Sequence, residues 1–207
     1  MPRRPQHKRL KKAIWQARWK GQNALVVELS KEYLEHHPHN ATVWLCLGHA
    51  LIYLSRYEEA ELALSIELAP GFERLQDDFY SERGELERRR GNLQEAQKWF
   101  ERALEADAEG SNLYLRVDLG GIALRLGKLD EAEMHFRLAL EDGDFESKGA
   151  DFLRLGQVLR AQNRIDEALD CFRQAASFEP KSRVAKAELK ELEQVLLVRL
   201  MRDREKP

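Results

Sequence analysis

The chain has 207 residues, of which 43% are hydrophobic and 34% charged, and its formal net charge is −2. It contains no uncharged apolar run of about 18 residues, so we expect no transmembrane helix. An early apolar run of the secretory type is also missing, which predicts a cytoplasmic protein. The two cysteines, Cys46 and Cys171, do not form a Cys-x-x-Cys spacing and are expected to be free thiols.

The first 20 residues are strongly basic. They contain eight Lys or Arg and no acid, so the rest of the chain has 26 basic and 36 acidic residues, a net charge of −10. We interpret residues 1–7 as a flexible basic arm. Such an arm binds phosphates by releasing counterions, so a nucleic-acid- or ribosome-associated protein is an alternative function. The acidic remainder argues against a duplex as the main partner.

Residues 8–39 are predicted to form a degenerate N-terminal helix pair. Ile14 and Ala17 belong to an apolar stripe with helical spacing, Gly21 supplies the turn between the helices, and Pro38 ends the second helix.

Residues 40–180 contain four copies of one unit with a period of 36 residues. In each copy a glycine is followed 12 residues later by an alanine, and a large apolar residue comes four residues after that. The four triplets are Gly48, Ala60 and Leu64; Gly84, Ala96 and Phe100; Gly120, Ala132 and Phe136; and Gly156, Ala168 and Phe172. Small residues let two helix backbones approach closely while the large residue fills the remaining space. The pattern therefore predicts repeated pairs of antiparallel helices.

Residues 181–207 are predicted to be a capping helix and tail. The stripe of Leu192, Leu196 and Leu200 uses one face, whereas Leu197, Val198 and Met201 extend the apolar surface to other faces. We interpret the excess as a surface for self-association or for a docked partner, or alternatively as a tail that folds back into a groove.

The repeat resembles the tetratricopeptide repeat family over roughly residues 7–200. The copies that carry the resemblance most clearly are Trp44–Gly48 with Arg56–Ala60, Gly91–Ala96 with Phe100, and Phe152–Gly156 with Ile165–Ala168, Phe172 and Pro180. The resemblance implies an all-α, right-handed superhelical solenoid of about five helix pairs plus the capping helix. It also implies a non-catalytic scaffold or adaptor whose partner is a protein or peptide with an acidic or apolar segment.

In this family the first helices of successive pairs line a groove that binds partners. Carried over to this sequence, the resemblance places the following candidate contacts there: Lys8, Lys11, Trp15, Arg18, Trp19, His49, Tyr53, Glu85, Arg88, Arg89, Arg125, Gln157 and Arg160. The carboxylate clamp by which some members hold chaperone tails needs Lys and Asn at sites occupied here by Leu45, His49, Ser81 and Glu85, so that clamp is absent.

Two clusters in this set have competing interpretations. Trp15 and Trp19 lie one helical turn apart among basic residues and suit an acidic–apolar peptide, but one of them is equally explained as packing against the next pair. Arg88 and Arg89, joined by Arg125 and Arg160 if the groove mapping holds, either bind an acidic strip of the partner or pair with Glu and Asp residues of neighbouring helices.

No pattern of catalytic or cofactor-binding residues is found. The run His36, His37 and His39 surrounds a proline without a cysteine or acidic partner at ligand spacing, so we assign it to a solvated turn and not to a metal. No phosphate-binding loop follows a strand, and no Ser/His/Asp or Cys/His set converges. We expect a protein without enzymatic activity and without a cofactor.

Overall fold

A computed structural model describes residues 4–68, 75–107, 114–142 and 148–204. These residues form α-helices and one short 3-10 segment, Ser65–Leu68, and no strand occurs among them. The helices are α1 (Arg4–Trp19), α2 (Asn23–His36), α3 (Ala41–Tyr53), α4 (Tyr57–Leu64), α5 (Gln76–Arg90), α6 (Leu93–Ala106), α7 (Tyr114–Arg125), α8 (Leu129–Asp142), α9 (Lys148–Ala161), α10 (Ile165–Phe178) and α11 (Arg183–Arg204). The prediction of five helix pairs followed by a single helix is confirmed.

The chain divides into two compact units, Met1–Ser111 and Asn112–Pro207. Unit 1 contains the helix pairs α1/α2, α3/α4 and α5/α6, and unit 2 contains α7/α8, α9/α10 and α11. In each unit the strongest packing joins the two helices of a pair or a helix to the next pair, as in a repeat protein.

The recurrent glycines lie where the two helices of a pair touch. A Cβ atom added at Gly48 would lie 2.6 Å from the Leu64 side chain, and one at Gly156 would lie 2.6 Å from the Phe172 ring. Gly84 and Gly120 are equally close to the rings of Phe100 and Phe136, at 2.7 and 2.9 Å. These large residues are fully buried. The glycine therefore provides the space that the large side chain fills.

The first pair reverses this arrangement. Ile14 occupies the site that corresponds to Gly48, 34 residues later, and Ser30 occupies the site that corresponds to Leu64. Both residues are fully buried. At these equivalent positions the large side chain is therefore on the first helix and the small one on the second.

The turns between paired helices share one conformation. Each contains a residue with positive φ: Gly21, Ser55, Gly91, Gly127 and Asn163. In every case the amide of the following residue donates to the carbonyl five positions earlier at 2.9 Å, for example Gln22 N to Ala17 O and Arg164 N to Leu159 O. This is the Schellman hydrogen-bond pattern, which ends a helix and reverses the chain.

The N-terminus differs from the predicted flexible arm of residues 1–7. Helix α1 begins at Arg4, and residues 1–3 lie outside the described part of the chain. The His7 ring packs edge-on against His37, with 4.5 Å between ring centroids, and the His37 ring lies 4.7 Å from that of Tyr33. Residues 4–7 therefore extend the first helix, and contact with α2 holds His7.

Candidate functional site

The exposed face of α1 carries two tryptophans and two lysines in a single stripe. Lys8, Lys12, Trp15 and Trp19 follow one another at intervals of four, three and four residues, which places them on one side of the helix. Ile14 and Ala17, which face the core, are buried. Trp19 is 92% exposed and Trp15 is 44% exposed. An indole this exposed is unusual because burying it would remove a large apolar area from water.

The edge of α1 that faces α3 is also basic. Arg18 donates from Nη1 to Cys46 Sγ at 3.4 Å, and its guanidinium carbon lies 5.9 Å from the centre of the Trp15 ring. Lys11 is half-buried on the same edge. Arg18 therefore ties the aromatic stripe of α1 to the second helix pair.

On α3 the corresponding positions are His49 and Tyr53. Their rings are 4.6 Å apart, and Tyr53 is 47% exposed. His49 Nδ1 lies 2.8 Å from Glu82 Oε1 on α5. This hydrogen bond joins two successive repeats and fixes the orientation of the imidazole.

On α5 two arginines share one carboxylate. Arg88 Nε and Arg89 Nε donate to Glu85 at 2.6 and 2.5 Å, and the Arg89 guanidinium stacks on the Tyr53 ring at 4.1 Å. The hydrogen bond to Glu85 raises the pKa of Arg89, so this side chain stays charged. Two guanidinium groups therefore converge on one carboxylate, and the stack on the Tyr53 ring holds that of Arg89 in place.

The beginning of α5 has the opposite sign. Asp77, Asp78 and Glu82 lie within its first two turns. Desolvation by the surrounding protein, followed by the charges of Asp77 and Glu82, raises the pKa of Asp78 above its ordinary value, although part of the side chain still meets solvent. The face made by α1, α3 and α5 is therefore basic and aromatic along α1 and at Arg89, and acidic at the start of α5.

We call this surface the aromatic face of unit 1. Its defining residues are Trp15 and Trp19 on α1, His49 and Tyr53 on α3, and Arg89 on α5.

The candidate residues of unit 2 are in a different setting. Gln157 Nε2 donates to Glu188 Oε1 of α11 at 3.2 Å, and Arg160 forms an ion pair with the same carboxylate. Arg160 also approaches Glu191 at 3.9 Å. Arg125 is exposed at the end of α7. Two of the three candidates in this unit are therefore engaged by the capping helix.

The C-terminal helix exposes the apolar residues that the sequence analysis assigned to self-association. Leu197, Val198 and Met201 are all well exposed, as is Val195, whereas Ala185 and Leu192 are buried. Leu189 and Leu196 pack against the core of unit 2.

The structure places the predicted residues of unit 1 on one face and adds partners that the sequence analysis missed. Arg160 pairs with Glu188 of another helix, as the alternative interpretation of the arginines expects, whereas Arg88 and Arg89 pair with Glu85 of their own helix. Glu82 and Glu188 were not among the candidates. The repeat could have indicated both residues. Glu82 lies 33 residues after His49, in the first helix of the next pair, and Glu188 lies 31 residues after Gln157, in the capping helix α11.

Neither tryptophan of α1 is buried by the next pair. Trp15 keeps nearly half of its surface and Trp19 almost all of it. Within the described ranges, no group of three or more His, Cys, Asp or Glu residues is arranged to hold a metal ion. None of the helices in these ranges combines the length and apolar character that a membrane crossing requires.

Comparison with known proteins agrees with the geometry of the helix pairs. Family models described as tetratricopeptide repeat match residues 78–142 and residues 150–182. These segments contain most of α5 and the helices from α6 to α10. These two segments are tetratricopeptide repeats. The family assignment made from the repeated Gly, Ala and Phe positions is thereby confirmed, as is the all-α fold.

Solved structures of other tetratricopeptide repeat proteins share this fold. TTC0263 of Thermus thermophilus is 18% identical over 91% of this chain and 99% of its own, with a TM-score of 0.66. YrrB, described as having an unusual peptide-binding site, is 20% identical over 86% of this chain and 88% of its own, with a TM-score of 0.65. The first such domain of Spaghetti (RPAP3), bound to an HSP90 peptide, is 24% identical over 59% of this chain and 94% of its own, with a TM-score of 0.54.

A comparison with curated protein sequences found no significant match. At these levels of identity the structural likeness establishes the fold alone. Tetratricopeptide repeat proteins are generally non-catalytic scaffolds for protein–protein interaction, and this chain has their architecture.

Proposed function

We propose that this protein is a non-catalytic scaffold that binds a segment of another protein on the aromatic face of unit 1. The observation that carries the proposal is the exposure of Trp19, at 92%, next to the half-exposed Trp15. Tryptophan is among the residues that contribute most to binding energy at interfaces. A repeat protein gains nothing in stability from presenting an indole to water, so a partner that covers it explains its placement.

The face is also fixed in shape before a partner arrives. Arg18 is bonded to Cys46, His49 to Glu82, and Arg89 to both Glu85 and the Tyr53 ring. Contacts that are already ordered reduce the entropy lost on binding. The similarity to tetratricopeptide repeat structures that bind peptides is consistent with this mode of recognition.

The test uses a random peptide library displayed on phage. The library is selected in parallel on the wild-type protein, on the double variant Trp15→Ala/Trp19→Ala, and on Leu62→Ala. Leu62 is 73% exposed on α4 and lies outside the aromatic face, so it controls for non-specific apolar adhesion.

We expect peptides enriched on the wild type and on Leu62→Ala to bind the double variant at least about tenfold more weakly, as loss of an interface hot spot predicts. The thermal unfolding midpoint should remain unchanged, because neither ring is part of the core. Equal binding to the double variant would reject the proposal.

A second candidate function is self-association through α11. Val195, Leu197, Val198 and Met201 place four large apolar side chains in water on one helix. A second copy of the chain is the partner expected from the sequence analysis. Light scattering after size exclusion should then give a mass that rises with concentration in the wild type.

The variant Leu197→Glu/Met201→Glu should remain a monomer at every concentration. Val184→Glu is the matched control because Val184 is equally exposed at the other end of the same helix. A monomeric mass for the wild type at high concentration would eliminate this candidate.

A further inference from the structure

Three residues of unit 1 occupy the same site in successive repeats. Trp19, Tyr53 and Arg89 are separated by 34 and 36 residues and lie near the ends of α1, α3 and α5. Helices that pack side by side have axes about 8–10 Å apart. The three side chains therefore form a row that crosses the helices.

The positive charge of this row, the Arg89 guanidinium, lies over the Tyr53 ring. The Arg89 guanidinium does not extend away from α5 but lies 4.1 Å above the Tyr53 ring, where Glu85 holds it at 2.5 Å. The positive group is thus about one helix spacing from the exposed indole of Trp19. The apolar Trp19 indole and the positively charged Arg89 guanidinium are therefore neighbours on this face.

A peptide of the partner that crosses the row would contact the Trp19 indole and the Arg89 guanidinium with side chains about three residues apart. In an extended polyproline II segment, side chains three residues apart lie on the same side and about 9 Å apart, because this helix has three residues per turn and rises about 3.1 Å per residue. We infer that the partner is an extended peptide with a large apolar side chain on Trp19 and an aspartate or glutamate three residues away at Arg89. This inference rests on the proposed function and specifies the partner.

The acidic start of α5 restricts where the carboxylate binds. Asp78 and Glu82 lie toward the opposite end of the same helix, about two or three turns from Arg89. A ligand carboxylate placed there would meet negative charge, whereas at Arg89 it meets a guanidinium group held over the Tyr53 ring. The charges therefore favour a crossing near the carboxyl ends of the first helices.

The same charges disfavour a nucleic acid on this face. Aromatic rings and arginines do bind single strands by stacking. However, Asp78 and Glu82 lie on the same helix as Arg89, and a phosphate backbone passing along that helix would be repelled by them. A peptide with a single acidic side chain avoids this conflict.

The test extends the library selection to a charge reversal at Arg89. Peptides are selected on the wild type, on Arg89→Glu and on Lys98→Glu, and the enriched sequences are aligned. Lys98 is exposed on α6 of the same unit and pairs with Glu95, so its reversal changes net charge equally away from the row. Thermal melts establish that each variant is folded, and Arg89→Gln serves as a second variant if Arg89→Glu is not.

We expect wild-type and Lys98→Glu selections to enrich an apolar residue three positions from Asp or Glu. Selection on Arg89→Glu should replace the acid by Lys or Arg. For a synthetic peptide of the enriched sequence, Arg89→Gln should weaken binding about tenfold, as expected for loss of a charged hydrogen-bonded contact. The same peptide with its acid changed to the amide should bind wild type and Arg89→Gln equally.

Trp-dependent peptides with no acidic preference, or with the acid at another spacing, would overturn this inference and leave the proposed function standing. Absence of any Trp-dependent peptide would overturn both. A single-stranded oligonucleotide that displaces the enriched peptide at comparable concentration would show that the face binds nucleic acid instead, which also overturns it.

Discussion

The two units carry different side chains at the same sites of the repeat. In unit 1 the groove positions of the first helices hold Trp15, Trp19 and Tyr53, all substantially exposed. In unit 2 the sites equivalent to Trp15 hold Gly121, which has open space around its Cβ position, and Gln157, which donates to Glu188 of α11; the site equivalent to Trp19 and Tyr53 holds Arg125. The helix-pair framework is common to both units, so they differ in the side chains at these sites and in what covers them.

The largest change in stability is expected from substitutions at the glycines where paired helices cross. Gly84→Val in unit 1 and Gly156→Val in unit 2 would each place a side chain against a buried ring, since even a Cβ would lie 2.7 Å from Phe100 or 2.6 Å from Phe172. We expect each change to lower the free energy of unfolding by about 3 kcal/mol, as overpacking does. Urea unfolding followed by circular dichroism measures it.

The matched control is Gly121→Val, because nothing lies within 4 Å of a Cβ added there. It should change stability by less than about 1 kcal/mol, since a helical site with open space at the Cβ position feels mainly the difference in helix propensity. Equal loss at Gly121 and Gly84 would mean that the recurrent glycines are not there for close packing.

Smaller changes in stability are expected from substitutions at the positive-φ residues of the turns. Gly127 has a φ of 74° and open space around its Cβ position, so Gly127→Ala adds backbone strain without a steric clash. We expect a loss of about 1 kcal/mol. Ser55 has a φ of 58°, so Ser55→Gly should raise stability by up to about 1 kcal/mol, and Asn163→Gly should gain less because asparagine tolerates this conformation.

The control for this series is Gly121→Ala, which is helical and equally open. It should gain about 1 kcal/mol from helix propensity, the opposite sign to Gly127→Ala. Thermal melts of the four variants give the order directly. Stabilisation by Gly127→Ala would contradict the shared turn conformation.

The framework was predictable because its signal repeats. A glycine and a large apolar side chain meet in every copy, so the period of 36 residues predicts the crossings as well as the helices. The exception, the first helix pair, was only partly predictable. Ile14 at a glycine site indicates a degenerate pair, but only the structure shows that Ser30 provides the matching small residue.

The candidate site was predictable in position and less so in contacts. The period placed His49, Tyr53 and Arg89 on one face, but whether an arginine faces a partner or a carboxylate depends on rotamers and on neighbours one repeat away. Glu188 illustrates this. The C-terminal helix was interpreted from its apolar stripe, and the acidic residue that binds Arg160 lies off that stripe.

The smallest effect concerns charge on the second helices. Glu133 in unit 2 accepts hydrogen bonds from Arg164 and Arg137, and these outweigh burial, which alone would raise its pKa, so that the pKa is lowered. The corresponding residue of unit 1, 36 positions earlier, is the neutral Gln97. The variant Glu133→Gln therefore gives unit 2 the residue that unit 1 already has.

Because the folded pKa of Glu133 lies below the ordinary value of 4.5, its contribution to stability is complete above that pH and is lost as the pH falls through the folded pKa. Glu133→Gln should cost up to about 1 kcal/mol at neutral pH, and its deficit should shrink toward zero in acid. Glu61→Gln is the control, since Glu61 is 60% exposed beside Arg90 and should contribute less. Urea unfolding from neutral pH down to below pH 4.5 measures both. A deficit for Glu133→Gln that stays constant over that range would assign its effect to lost packing, and unit 2 would then differ from unit 1 at this site by shape and not by charge.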